Sequence, residues 1–158
     1  MNKLIIISSF ILDIILSNLF PYSRNNLSYL TPLFVPVTIY IVYPYYKNNE
    51  KYLIETFIIG LLYDLFMTNL LFFNSFIFLI LGLITIYIHK KFKVDIKSNI
   101  MLTIIIIVIY EIIESLIFML FKMTYINFKE ILYYIAHSIL INLVYSQIMF
   151  NKRKYKYI

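Results

Sequence analysis

The chain contains no cysteine. Disulfides, cysteine-ligated zinc, iron–sulfur clusters and thiol catalysis are therefore excluded. It has only two glycines, Gly60 and Gly82, too few for a glycine-rich phosphate loop. Tryptophan is absent and alanine occurs once, at Ala136. Charge is also scarce: 14% of residues are Asp, Glu, Lys or Arg, against about 25% in soluble chains. No nucleophile–base pair stands out among the polar residues, and no close-spaced ligand pair such as H-x-x-x-H is present. The expectation is a protein that is not an enzyme and has neither a metal site nor a cofactor.

What is abundant is apolar. Hydrophobic residues make up 62% of the 158 positions, where a soluble domain has about 45–50%. The mean hydropathy is +0.84. This composition predicts an all-α integral membrane protein. Residues 1–158 suffice for one helical bundle, a single domain ending in a basic tail at 151–158. The net charge of +6 is spread in short clusters between apolar runs. That pattern fits membrane topology rather than a nucleic-acid surface.

Six apolar runs are predicted as spans, at 4–20, 32–46, 52–70, 76–88, 99–121 and 130–150. The first has no small-residue cleavage site and contains Asp13, so it reads as a retained helix. The second holds Pro32 and Pro36 near its start, which suits a first helical turn. Pro44 is expected to bend or end it. Residues 21–26 form a polar connection, and residues 69–75 an apolar turn within the interfacial zone. Eleven of the fourteen Lys and Arg residues fall on one side of this arrangement and three on the other. The excess belongs in the cytoplasm, which predicts six passes through a cell membrane with both termini cytoplasmic.

Several spans carry polar groups that are costly at bilayer depth. A carboxylate there costs about 2.5–3.5 kcal/mol on insertion scales, so it must face protein, water or a partner. At ~1.5 Å per residue, Asp13 lies roughly 15 Å deep, Asp64 and Glu111 roughly 18 Å, and His137 roughly 18–20 Å. These depths place the four groups in one layer near the midplane. Glu114 follows Glu111 by one helical turn, and Asn142 lies on the same run as His137. Gly60 and Asp64 are four apart and share one helix face, where Gly60 would let another helix approach closely. Three readings remain open: a site for an ion, proton or small ligand; a structural network; or a surface that docks a partner's membrane helix.

The motif Gly60-Leu61-Leu62-Tyr63-Asp64-Leu65, preceded by Glu55 and followed by an apolar turn, resembles the bacterial rod shape-determining protein MreD family. That family has a G-x-x-x-D-type signature in its third helix. Pro32 in the second run, Glu111 in the fifth, and Ser138 and Asn142 in the last are similar in placement. The turn departs from the family, where a small glycine-containing turn is common; here 69–75 holds two Leu and two Phe. The resemblance implies a six-helix fold similar to the substrate-binding subunits of energy-coupling-factor transporters. It also implies a non-enzymatic scaffold of the cell-elongation machinery. Expected partners are an MreC-like protein, an MreB-like actin homologue, the glycosyltransferase and transpeptidase of lateral peptidoglycan synthesis, and the lipid bilayer. The alternative is the substrate-binding membrane subunit of a vitamin or small-molecule importer.

Overall fold

A computed structural model of the chain describes residues 2–19, 32–68, 70–92, 95–120 and 128–154. The connection expected at 21–26 and the last four residues of the basic tail lie outside the described residues. The described residues form six α-helices: α1 (Asn2–Leu19), α2 (Phe34–Val42), α3 (Asn49–Tyr63), α4 (Phe73–Lys91), α5 (Ile96–Leu120) and α6 (Phe128–Lys154). A 3-10 turn at Tyr43–Tyr45 extends α2, and a π turn at Asp64–Thr68 extends α3. No strand occurs among the described residues.

The helix ends follow from local chemistry. Pro36 is the third residue of α2, where its missing N–H would have had no intrahelical partner. Pro44 sits in the 3-10 turn that ends the second helical segment. The third helix starts before the apolar run does, because the Asn48 side chain accepts the Glu50 N–H at 2.7 Å. That cap draws the polar residues 49–51 into the first turn. Likewise α5 starts at Ile96 because Asp95 and Ser98 cap it reciprocally. The Asp95 carboxylate accepts the Ser98 N–H, and the Ser98 hydroxyl accepts the Asp95 N–H, each at 2.7 Å. The Ser98 hydroxyl and N–H hold the exposed Asp95 carboxyl below its usual range. The last helix continues to Lys154, so the start of the basic tail is helical.

Polarity is distributed inside-out. Large apolar side chains are exposed at helical spacing along α1 (Leu4, Ile7, Ile11, Ile15), α3 (Ile54, Ile58, Leu62) and α4 (Phe76, Ile80, Leu83, Tyr87). Buried positions include Ser9, Asp13, Thr38, Asp64, Asn74, Asn99, Glu111 and Asn142. In water this arrangement would be unfavourable; in a bilayer it is the expected one. Three helices are long and apolar enough to cross a membrane, over Phe73–Lys91, Ile96–Ile117 and Ile131–Asn151.

The second helix is the centre of the bundle. All nine of its residues are buried, and it packs against α1, α4, α5 and α6. At ~1.5 Å per residue it is only about 13 Å long, well short of a 30 Å hydrocarbon core. The third helix packs chiefly on α4 and α5 on α6. The buried residues of α3 are Tyr52, Thr56, Ile59, Gly60 and Tyr63.

Candidate functional site

Two helices begin inside the bundle without a capping side chain of their own. The residue before α2 is Leu33 and the residue before α4 is Phe72, and neither makes a side-chain cap. The first N–H groups of a helix have no intrahelical acceptor, and hydrocarbon supplies none. In both cases an aspartate on the preceding helix fills the gap.

Asp13 on α1 serves α2. One carboxylate oxygen accepts the Phe34 N–H and the other the Val35 N–H, both at 2.9 Å. Asn142 on α6 completes the cap, its side-chain oxygen accepting the Leu33 N–H at 2.9 Å. The Asn142 amide donates to the Ser138 carbonyl at 2.7 Å, which fixes its orientation. Thr38 and Tyr145 join their hydroxyls at 2.6 Å, and Phe34 stacks on Tyr145 at 4.3 Å between ring centres. The start of α2 is thus tied to both the first and the last helix.

Asp64 serves α4. Its Oδ1 accepts the Asn74 N–H at 2.8 Å and the Asn74 side-chain amide at 2.9 Å. Its Oδ2 accepts the Ser75 N–H at 3.3 Å and the Ser75 hydroxyl at 3.2 Å. The Tyr110 hydroxyl of α5 donates to the Asn74 side-chain oxygen at 2.8 Å, extending the network to a third helix. Hydrogen bonds to a charged group contribute about 1.5–3 kcal/mol each. Two such bonds already match the insertion cost of a carboxylate, and the positive end of the helix dipole adds to them.

Gly60 explains the spacing of the motif. A Cβ at this position would overlap the backbone of Ser75, and would lie 2.7 Å from its nitrogen and 2.8 Å from the Asn74 carbonyl oxygen. The start of α4 therefore rests directly on the glycine, one turn before Asp64. Removal of the side chain at the first position lets the carboxylate at the second reach the two N–H groups. Gly82 faces only side chains, Leu53 Cδ2 and Thr56 Oγ1, each at 3.1 Å from such a Cβ.

The two glutamates are placed differently. Glu111 is 4% exposed, and its Oε1 is buried without a hydrogen-bond partner. The Ser138 side chain of α6 lies against its carboxyl group. Glu114 is half-buried one turn on. The fields of Asp13, Glu114, Glu111 and Asp64 all act on the buried Tyr63 phenol, so these four carboxyl groups share one neighbourhood. His137 is half-buried, its ring 4.0 Å from that of Tyr133 on the preceding turn.

The sequence reading left out Asn74, Ser75 and Tyr110 as members of the site. A signal for the first two was present: an Asn-Ser pair in an otherwise apolar turn, just before an apolar run, has the chemistry of a helix start. Among the described residues no group of three or more His, Cys, Asp or Glu is arranged to hold a metal ion. Comparison with family models, curated proteins and solved structures found no match for this chain.

Proposed function

We propose that this chain is a non-catalytic scaffold of a bacterial cell membrane, crossing it six times with both termini in the cytoplasm. By its resemblance to the MreD family it would serve cell elongation beside an MreC-like protein, an MreB-like actin homologue and the enzymes of lateral peptidoglycan synthesis. The observation that carries the reading is the use made of Asp64. Asn74 and Ser75 of the next helix together place four hydrogen bonds on its carboxylate. Asp13 and Asn142 are likewise spent on joining helices. Polar groups committed in this way make a fixed bundle that presents an apolar outer surface, which is what a scaffold offers its partners.

The basic cytoplasmic segments, Lys47 and Lys51, Lys90 to Lys97 and the tail from Lys152, would meet anionic lipid or a cytoplasmic partner. The test is purification from its native membrane in mild detergent. An MreC-like bitopic protein should accompany the chain, and loss of the gene product should round the cells. A tightly held vitamin with no such partner would replace the scaffold with the importer subunit.

A further inference from the structure

The turn between α3 and α4 ends lower in the bundle than the helix beside it. The Tyr110 hydroxyl of α5 bonds the Asn74 side chain at the start of α4. Helical side chains lean toward the N-terminus of their helix, which for α5 is the end where α4 finishes. Asn74 therefore lies no farther out than Tyr110. Beyond Tyr110, α5 runs ten residues further to Leu120, about 15 Å at helical rise. Its exposed side chains stay apolar to that end, at Ile112, Leu116, Met119 and Leu120. Asp64 is level with Asn74 and Ser75, whose N–H groups it accepts. The rest of the π turn after Asp64 rises at most about 6 Å more. The tip of the hairpin thus stops roughly 9 Å short of the end of α5. A second measure agrees. The Lys91 ammonium lies 4.6 Å from the ring centre of the exposed Tyr87, a pairing suited to the cytoplasmic membrane boundary. From Tyr87 back to Phe73 is about 21 Å. With the turn added the hairpin reaches about 27 Å, inside a hydrocarbon core of about 30 Å.

What the tip exposes is apolar: Leu65, Phe66, Leu71 and Phe72. From Thr56 to Ile88 the sequence holds no Asp, Glu, Lys or Arg except the buried Asp64, whereas Lys129 is exposed at the outer end of α6. No charge therefore holds the tip at headgroup level. Its backbone is closed on itself. The Phe73 N–H bonds the Leu70 carbonyl at 3.4 Å and the Phe76 N–H the Phe72 carbonyl at 3.3 Å, while Asp64 accepts those of Asn74 and Ser75. A turn satisfied in this way tolerates a place without water. We propose that the α3–α4 tip is a lipid-binding surface, seated among the acyl chains of the far leaflet, below the interfacial zone. The leaflet is thinned over the tip and reaches full depth beside α5. The inference rests on the topology proposed above only for which leaflet this is; the depth is read without it.

The chain has neither tryptophan nor cysteine, so single probes can be read. Full-length Phe66→Trp and Leu120→Trp variants are reconstituted in phosphatidylcholine liposomes whose acyl chains are brominated at defined carbons. Phe66→Trp should be quenched by the chain bromines, ignore aqueous iodide, and report a deeper position than Leu120→Trp. In intact cells Leu71→Cys should escape an impermeant maleimide before and after permeabilisation, and react only once the membrane is dissolved in SDS. Lys129→Cys should react at once. If one tip variant does not fold, the other decides. Iodide quenching of Phe66→Trp, or labelling of Leu71→Cys in intact cells, puts the tip in water and overturns the proposal. Insensitivity of Phe66→Trp to both iodide and brominated lipid assigns the tip to a protein neighbour and overturns it too. Labelling of Lys129→Cys only after permeabilisation would instead overturn the proposed orientation, leaving the quenching depth to decide on the tip.

Discussion

At position 60 a methyl group would meet backbone, which cannot swing aside as a side chain can. Gly60→Ala should therefore push α4 off α3 and cost about 1–3 kcal/mol, the usual range for overpacking. Thermal unfolding of the detergent-solubilised protein would show it. Gly82→Ala meets side chains rather than backbone, those of Leu53, Thr56 and Tyr52, and should lower the unfolding temperature less. Asp64→Ala leaves the N–H groups of Asn74 and Ser75 without an acceptor, at about 1–3 kcal/mol for each buried group. Ile58→Ala, on the exposed face of α3, should change stability little. Equal shifts for the two variants would show that the carboxylate does not hold the hairpin. The need to shield Asp64, and a close approach at Gly60, are both legible from residue type and spacing. Which atoms do the shielding is not, because Asn74 and Ser75 act partly through their backbone, which any residue has. The same limit hides Phe72, which adopts a left-handed backbone with φ of 68°. A bulky side chain there costs about 1–2 kcal/mol, so Phe72→Gly should raise the unfolding temperature.

Among the elements, every expected start misses by two or three residues: 52 and 99 for the self-capped helices that begin at Asn49 and Ile96, and 32 and 76 for those capped from afar, which begin at Phe34 and Phe73. Asn48 and the Asp95–Ser98 pair are local signals beside the helices they start. Leu33 and Phe72 carry no such signal, because the acceptors for α2 and α4 come from the helix before. The six expected apolar runs still fall on the six helices, three of which are long and apolar enough to cross a membrane, since apolar run length is set by each segment alone. Asp13 and Asn142 act on successive N–H groups at the same helix start. Their alanine variants should not be additive: once one is lost α2 can shift, and the second loss costs less. A double-mutant cycle should give a coupling of about 0.5–3 kcal/mol. The cap at α5 adds a pH dependence. The Asp95 carboxyl is held below its usual value of 3.8 in the folded protein. Its contribution is therefore complete above that value and is lost as pH falls through the lower folded one. The stability difference between the parent chain and Asp95→Asn should shrink on acidification; a difference that stays constant would remove the cap from the account.

For the molecule as a whole, the missing cysteines make orientation testable without a prior cysteine-free background. An impermeant maleimide applied to intact cells should label Lys129→Cys directly and Lys47→Cys only after permeabilisation. The reverse pattern would invert the proposed topology. Composition and the asymmetry of Lys and Arg speak at this scale, but packing order does not, since every apolar run is a plausible neighbour of every other. The enclosure of α2 has a consequence for how the protein is made. This segment is too short to cross the hydrocarbon by itself, and its leading N–H at Leu33 finds its acceptor in Asn142 of α6, 109 positions later. During synthesis the second helix must wait, incompletely satisfied, until α6 has been made. The sixth helix is the one that locks the earliest hairpin, so chains truncated before α6 should remain open to proteolysis around α2.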